Sequence, residues 1–186
     1  MKKILLSALT LLMALGVYAA DPSEDGVPTT PLKIYSGGIT LGGIRAVNDE
    51  LKEDVTKNLL KVSFANVFSI RPNVDLFMDA SVYFPEACYG ADFGADFIFS
   101  PSEFRPFAGF GIGGFFVNRG GEFSDDFGPS ITAHFGFTLD VTETVAVRLR
   151  APYHFILNDF NDQAAGLDLT ILFSSRLKNV KKLQYN

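Results

Sequence analysis

From residue 60 to residue 173 the chain alternates apolar and polar positions in run after run of about ten residues, each broken by turn-forming residues. In the clearest run Val74, Leu76, Met78, Ala80, Val82 and Phe84 take one parity, while Asp75, Asp79 and Ser81 take the other. Successive strand side chains point to opposite faces, so this period of two predicts strands with one apolar and one polar face. About ten tilted residues is also the length a strand needs to cross a bilayer. Eight such runs are predicted, at 33–47, 59–70, 74–84, 88–99, 106–117, 130–141, 145–157 and 165–173. The first and the fifth are interrupted by glycine, which blurs the alternation.

The connections differ by end. Segments 71–73, 100–105 and 141–144 are tight, whereas 48–57, 118–127 and 158–163 are mostly longer and acidic. Short turns at one end and longer loops at the other fit a barrel with its turns on the periplasmic side, and an even strand number returns both termini there. The short connection 85–87 is the exception on the loop side.

Alternation alone does not say whether the apolar face meets lipid or a core, and a lipocalin-like soluble barrel has the same period. Two features favour lipid. The polar face carries charges at mid-strand (Asp79, Asp92, Asp96, Arg148, Arg150, Asp168), while the apolar faces run unbroken along whole strands. Aromatic residues also gather near strand ends (Tyr83, Phe84, Phe99, Phe104, Phe107, Phe116, Tyr153, Phe155), as an interfacial girdle would. The predicted fold is all-β: an eight-stranded antiparallel up-and-down transmembrane β-barrel.

The ends of the chain add a compartment. Lys2 and Lys3, the apolar run 4–15, and Val17 and Ala19 at the −3 and −1 positions read as a secretory signal peptide over 1–19. A flexible, Pro-rich lead-in over 20–32, a barrel over 33–175 and a basic tail over 176–186 follow. Removing Lys2 and Lys3 takes the 16 basic residues to 14 against 21 acidic ones, a net charge of −7, which argues against nucleic acid as a partner. Cys88 is the sole cysteine, so no internal disulfide can form despite export. The predicted location is therefore the outer membrane.

The run 104–116 (FRPFAGFGIGGFF) resembles a glycine-alternating strand of small outer-membrane barrels of the OmpA/OmpX-like type, and 136–150 (GFTLDVTETVAVRLR) is similar to their strand, tight turn and strand. The resemblance implies a barrel that contacts outer-membrane lipids and is inserted by the outer-membrane assembly machinery. That machinery reads a last strand whose pattern Gly166, Leu169 and Ile171 match, with Phe173 two residues on. The chain departs from the pattern by continuing past that aromatic, and it has no peptidoglycan-binding domain to carry a cell-wall role.

Inside an eight-stranded barrel the lumen is just wide enough for side chains to fill it. Asp75 and Asp79 are expected to face Arg148 and Arg150 across it, with Asp92 and Asp96 beside the first pair and Asp168 and His134 near the arginines. Carboxylates on adjacent strands repel and buried unpaired charge is costly, so the arginines serve as partners in a structural network. A metal or proton site built from the carboxylates and His134 is the alternative, without tight ligand spacing to support it. No cofactor or metal is expected, and no enzyme. The His-x-Ser pair of small lipid A deacylases is absent, since Phe135-Gly136 follows His134 and Phe155-Ile156 follows His154. The predicted role is structural or surface interaction through acidic loops, with a small passive pore or a soluble periplasmic carrier as competitors.

Overall fold

The computed structural model describes residues 35–54, 57–86, 88–118 and 127–174. The expected leader, the lead-in, the basic tail and part of the acidic connection 118–127 lie outside the described residues. The strands are β1 (Tyr35–Ala46), β2 (Asn58–Arg71), β3 (Val74–Phe84), β4 (Cys88–Ile98), β5 (Phe104–Phe116), β6 (Phe127–Asp140), β7 (Val145–Ile156) and β8 (Gln163–Ser174). Each pairs antiparallel with the next, and β8 returns to β1, closing the barrel. The fold class read from the sequence is the one observed. Closure leaves no unpaired strand edge.

Several strands extend by one to three residues beyond expectation, β2, β5, β6 and β8 among them. β5 and β6 begin at Phe104 and Phe127, and pair over their whole length from Phe104↔Leu139 to Phe116↔Phe127. Pro106 is accommodated because it gives only its carbonyl, which accepts from the Phe99 amide at 2.9 Å. The β1–β2 connection also holds a six-residue helix, α1 (Asp49–Asp54), where only a loop was expected. Its acidic composition carries no apolar period, which is the signal a helix normally gives.

The facing pattern settles the direction of each parity. Phe135 is 68% exposed and Ile112 64%, whereas Lys61, Asp96 and Asp168 are 0% exposed. The apolar parity therefore points out and the polar parity in, the reverse of a soluble barrel. Of the expected girdle, Phe84, Phe99, Phe104 and Tyr153 are exposed on the outside. Tyr83 and Phe107 are not part of it. Both are buried inside, because Tyr83 shares parity with Asp79 and Ser81, and Phe107 with the inward glycines of β5.

The interior is layered along the barrel axis. A buried apolar cluster at the loop end includes Ile44, Leu59, Tyr83, Phe115 and Ile156. A second, around Val67, Phe77, Ala146 and Leu172, lies toward the turn end. Lys61, Asp79, Arg150 and Asp168 occupy the space between, while Asp75 and Asp96 lie beside the second cluster, on the turn side of Phe77.

Candidate functional site

The charged layer is assembled from inward positions of β2, β3, β4, β6, β7 and β8. Its first group centres on Lys61, whose Nζ donates to Asp79 Oδ2 and to Asp168 Oδ2, at 2.9 Å in each case. Arg150 closes the group from β7: its Nη2 donates to Asp168 Oδ2 at 2.8 Å, and it also bonds Asp79 Oδ2. Two carboxylates thus share two cations in a dry space. Such an arrangement holds only when each charge is matched, because an uncompensated buried charge is strongly destabilising.

A second group lies on the turn side. Arg148 Nη2 donates to Asp96 Oδ2 at 2.5 Å, and His134 Nε2 meets the other oxygen of Asp96 at 2.6 Å. Aromatic rings hold these groups in place. The Arg148 guanidinium lies 3.9 Å from the Phe107 ring centre, a cation–π contact, and Phe77 packs edge-on against His134 with centroids 5.0 Å apart. Gly109 is required here: a Cβ at this position would stand 2.4 Å from Asp96 Oδ1 and 2.5 Å from His134 Nε2.

The third group lies toward the loop end and contains no fixed cation. Asp92 accepts from Thr132 Oγ1 at 3.0 Å and from Ser130 Oγ at 3.4 Å, while His154 Nδ1 lies 3.0 Å from the same threonine hydroxyl. His154 Nδ1 is 3.8 Å from Asp92 Oδ2. Hydroxyl and imidazole groups do here what arginine does below.

The eight residues predicted for the lumen network all lie in the interior, but not in the expected pairings. Arg150 meets Asp79 as expected, and Asp168 joins them. Arg148 does not pair with Asp75; it pairs with Asp96. The reason is position around the wall: Asp96 is the cross-strand neighbour of Asp75 on β4, one strand nearer to β7. Asp75 is buried with the Ser69 hydroxyl as its side-chain partner, across the β2–β3 pairing. His134 meets Asp96 rather than the arginines.

Lys61 was missed. It sits alone in an apolar stretch (LLKVSF), yet it shares parity with Ser63 and Ser69, the signal that it points inward. Its inclusion changes the charge balance. Asp75, Asp79, Asp92, Asp96 and Asp168 face Lys61, Arg148 and Arg150, both imidazoles stand against carboxylates, and Arg105, paired with Asp140 at 2.7 Å, adds a further cation on the side of Asp75. Among the described residues no group of three or more His, Cys, Asp or Glu is arranged to hold a metal ion.

On β8, Gly166 faces inward against β1, while Leu169, Ile171 and Phe173 are exposed on the outer face. At the loop end, Lys52 sits 2.8 Å from Asp49 on α1 and holds that carboxyl below its usual range.

No protein-family model matches the sequence, and no curated protein matches it significantly. Solved structures do match. Neisserial surface protein A superposes with a TM-score of 0.60 at 13% identity, over 76% of this chain and 97% of that one. The N-terminal β-barrel domain of Pseudomonas aeruginosa OprF gives a TM-score of 0.51 at 16% identity, over 74% of this chain and 97% of that one. Identities this low establish likeness of fold. The architecture is that of the small eight-stranded outer-membrane barrels, the class the glycine-rich strand resembled.

Proposed function

We propose that the chain is an integral outer-membrane barrel, exported by a cleaved leader, whose interior is closed by its own ion pairs. Its role is non-catalytic: it occupies and stabilises the outer membrane and offers its loops to ligands or surfaces. One observation carries this reading: the large apolar side chains are exposed on the outside while the ion pairs are buried inside. An exterior of that kind is stable only against lipid. The network of Asp75, Asp79, Asp92, Asp96, His134, Arg148, Arg150 and Asp168, with Lys61 added, acts as a structural filling, and Gly166, Leu169, Ile171 and Phe173 act as the assembly signal.

The first test is gel mobility of outer-membrane extract, boiled against unboiled. A closed barrel with every edge paired resists SDS until heated, so a shift on boiling is expected. Recovery from the soluble periplasm without detergent and without a shift would overturn the reading. Planar-bilayer recording tests closure: no steady single-channel current is expected, and a stable conductance would establish a pore instead. Ile112→Arg, on the lipid-facing side, is expected to lower stability in bilayers by about 2–4 kcal/mol. Tolerance of that arginine would argue that the outer face meets water.

A further inference from the structure

The helix α1 buries one side chain. Leu51 is 5% exposed and belongs to the same apolar cluster as Ile44, Leu59, Tyr83, Phe115 and Ile156. Those residues point inward from β1, β2, β3, β5 and β7, so together they span the loop end of the lumen. Leu51 reaches this layer from the connection rather than from the wall. Among the described side chains of α1 no other is held as firmly: Asp49 and Glu53 are exposed, and Lys52 is half-buried.

Among the described residues, hydrogen bonds hold α1 at its base. The Ala46 amide donates to the Lys57 carbonyl at 3.1 Å and the Val47 amide to the Gln163 carbonyl at 2.8 Å, while the Asn48 side chain accepts from the Gln163 amide at 2.9 Å. A helix of six residues has no stability of its own, so it stays formed only while docked. A short element whose described side chains include one buried anchor opens more easily than the fully paired strands beneath it.

We propose that α1 is a hinged lid that closes the loop end of the barrel through Leu51, and that its opening admits solvent to the apolar layer below. The chain carries its own reporter of this event. Cys88 is the sole cysteine, is 0% exposed, and lies in the layer that Leu51 caps. With the lid shut the thiol is shielded from aqueous reagents; with the lid open it reacts. The proposal rests on the reading of the interior as closed, but thiol reactivity and conductance are separate readouts. A conducting barrel with a protected Cys88 defeats the closed-pore reading and leaves the lid standing.

The experiment is alkylation of Cys88 by a polar maleimide in the full-length protein folded in detergent. Wild type is expected to react at least about a hundredfold more slowly than boiled protein, and Leu51→Ser to react about tenfold faster than wild type while keeping its shift on boiling. Leu51→Met, which keeps the apolar anchor, is expected to restore protection. Wild-type reactivity equal to that of boiled protein overturns the proposal, as does a folded Leu51→Ser that reacts no faster than wild type. Should Leu51→Ser not assemble, hydrogen exchange on wild type decides the matter. The amides of Val47 and Lys52, bonded to Gln163 and Asn48, are expected to report the same opening constant as Cys88 alkylation. Cys88 reacting only at the global unfolding rate while those amides exchange freely would overturn the lid.

Discussion

The middle of the lumen and its loop end are equally dry and chemically opposite. At mid-height Lys61, Asp79, Arg150 and Asp168 exclude water and pair as ions with one another. A few residues further along the same strands, Leu59, Tyr83 and Ile156 exclude water with no charge at all. The same wall supports both, because the lumen is filled by whatever the inward parity supplies. The difference lies in how each layer fails. The apolar layer loses contacts in proportion to the atoms removed, and the charged layer loses its balance when any one member goes.

The largest effect is expected from Arg150→Ala, which leaves Asp79 and Asp168 sharing Lys61 alone. It should cost about 3–5 kcal/mol, read as a lower midpoint in denaturant for the detergent-folded barrel, with Arg148→Ala acting in the same direction at Asp96. An unchanged midpoint in both would remove the network from the account of stability. Ile156→Ala, in the apolar layer, is expected to cost about 2–5 kcal/mol with its size set by the cavity left behind, and Ile156→Leu far less. Thr132→Val is smaller. It removes the hydroxyl between Asp92 and His154 and should cost about 1–3 kcal/mol; a neutral result would mean that Ser130 and the imidazole suffice. The sharpest comparison has the smallest expected effect. Replacing Lys61, Asp79, Arg150 and Asp168 together by Met and Leu converts the charged layer into an apolar one and should leave stability within about 1 kcal/mol of wild type. A large loss there would mean that the charges fix the register of the barrel as well as filling it.

Parity made most of this legible in the sequence. Strand number, antiparallel order and the residues that share a face follow from which residues alternate, and the charges at mid-strand mark the polar face as the inward one. Residue type misled where parity was set aside. Aromatics collect at interfaces, which places Tyr83 and Phe107 in the outer girdle by type, although each stands in step with inward neighbours. Lys61, a lone cation in an apolar run, is marked as inward only by its step with Ser63. The pairing of Arg148 with Asp96 was beyond reach, since partners across a lumen depend on the tilt and stagger of the closed wall. The docking of α1 was hidden for a different reason: six residues with one apolar side chain carry no period.

The seam between β1 and β8 has a consequence for how the molecule comes into being. Thr40 and Thr170 share a hydroxyl hydrogen bond at 2.7 Å across 130 residues of sequence, and Ser36 and Ser174 do the same across 138. Every other strand pair joins neighbours in the chain, so a growing hairpin stack can add strands one at a time. The seam has no such shortcut, because its first partner waits for the last. A chain truncated before β8 would therefore be an open sheet with two sticky edges rather than a smaller barrel. Closure is checked by geometry, at the single line where the first strand of the barrel meets the last.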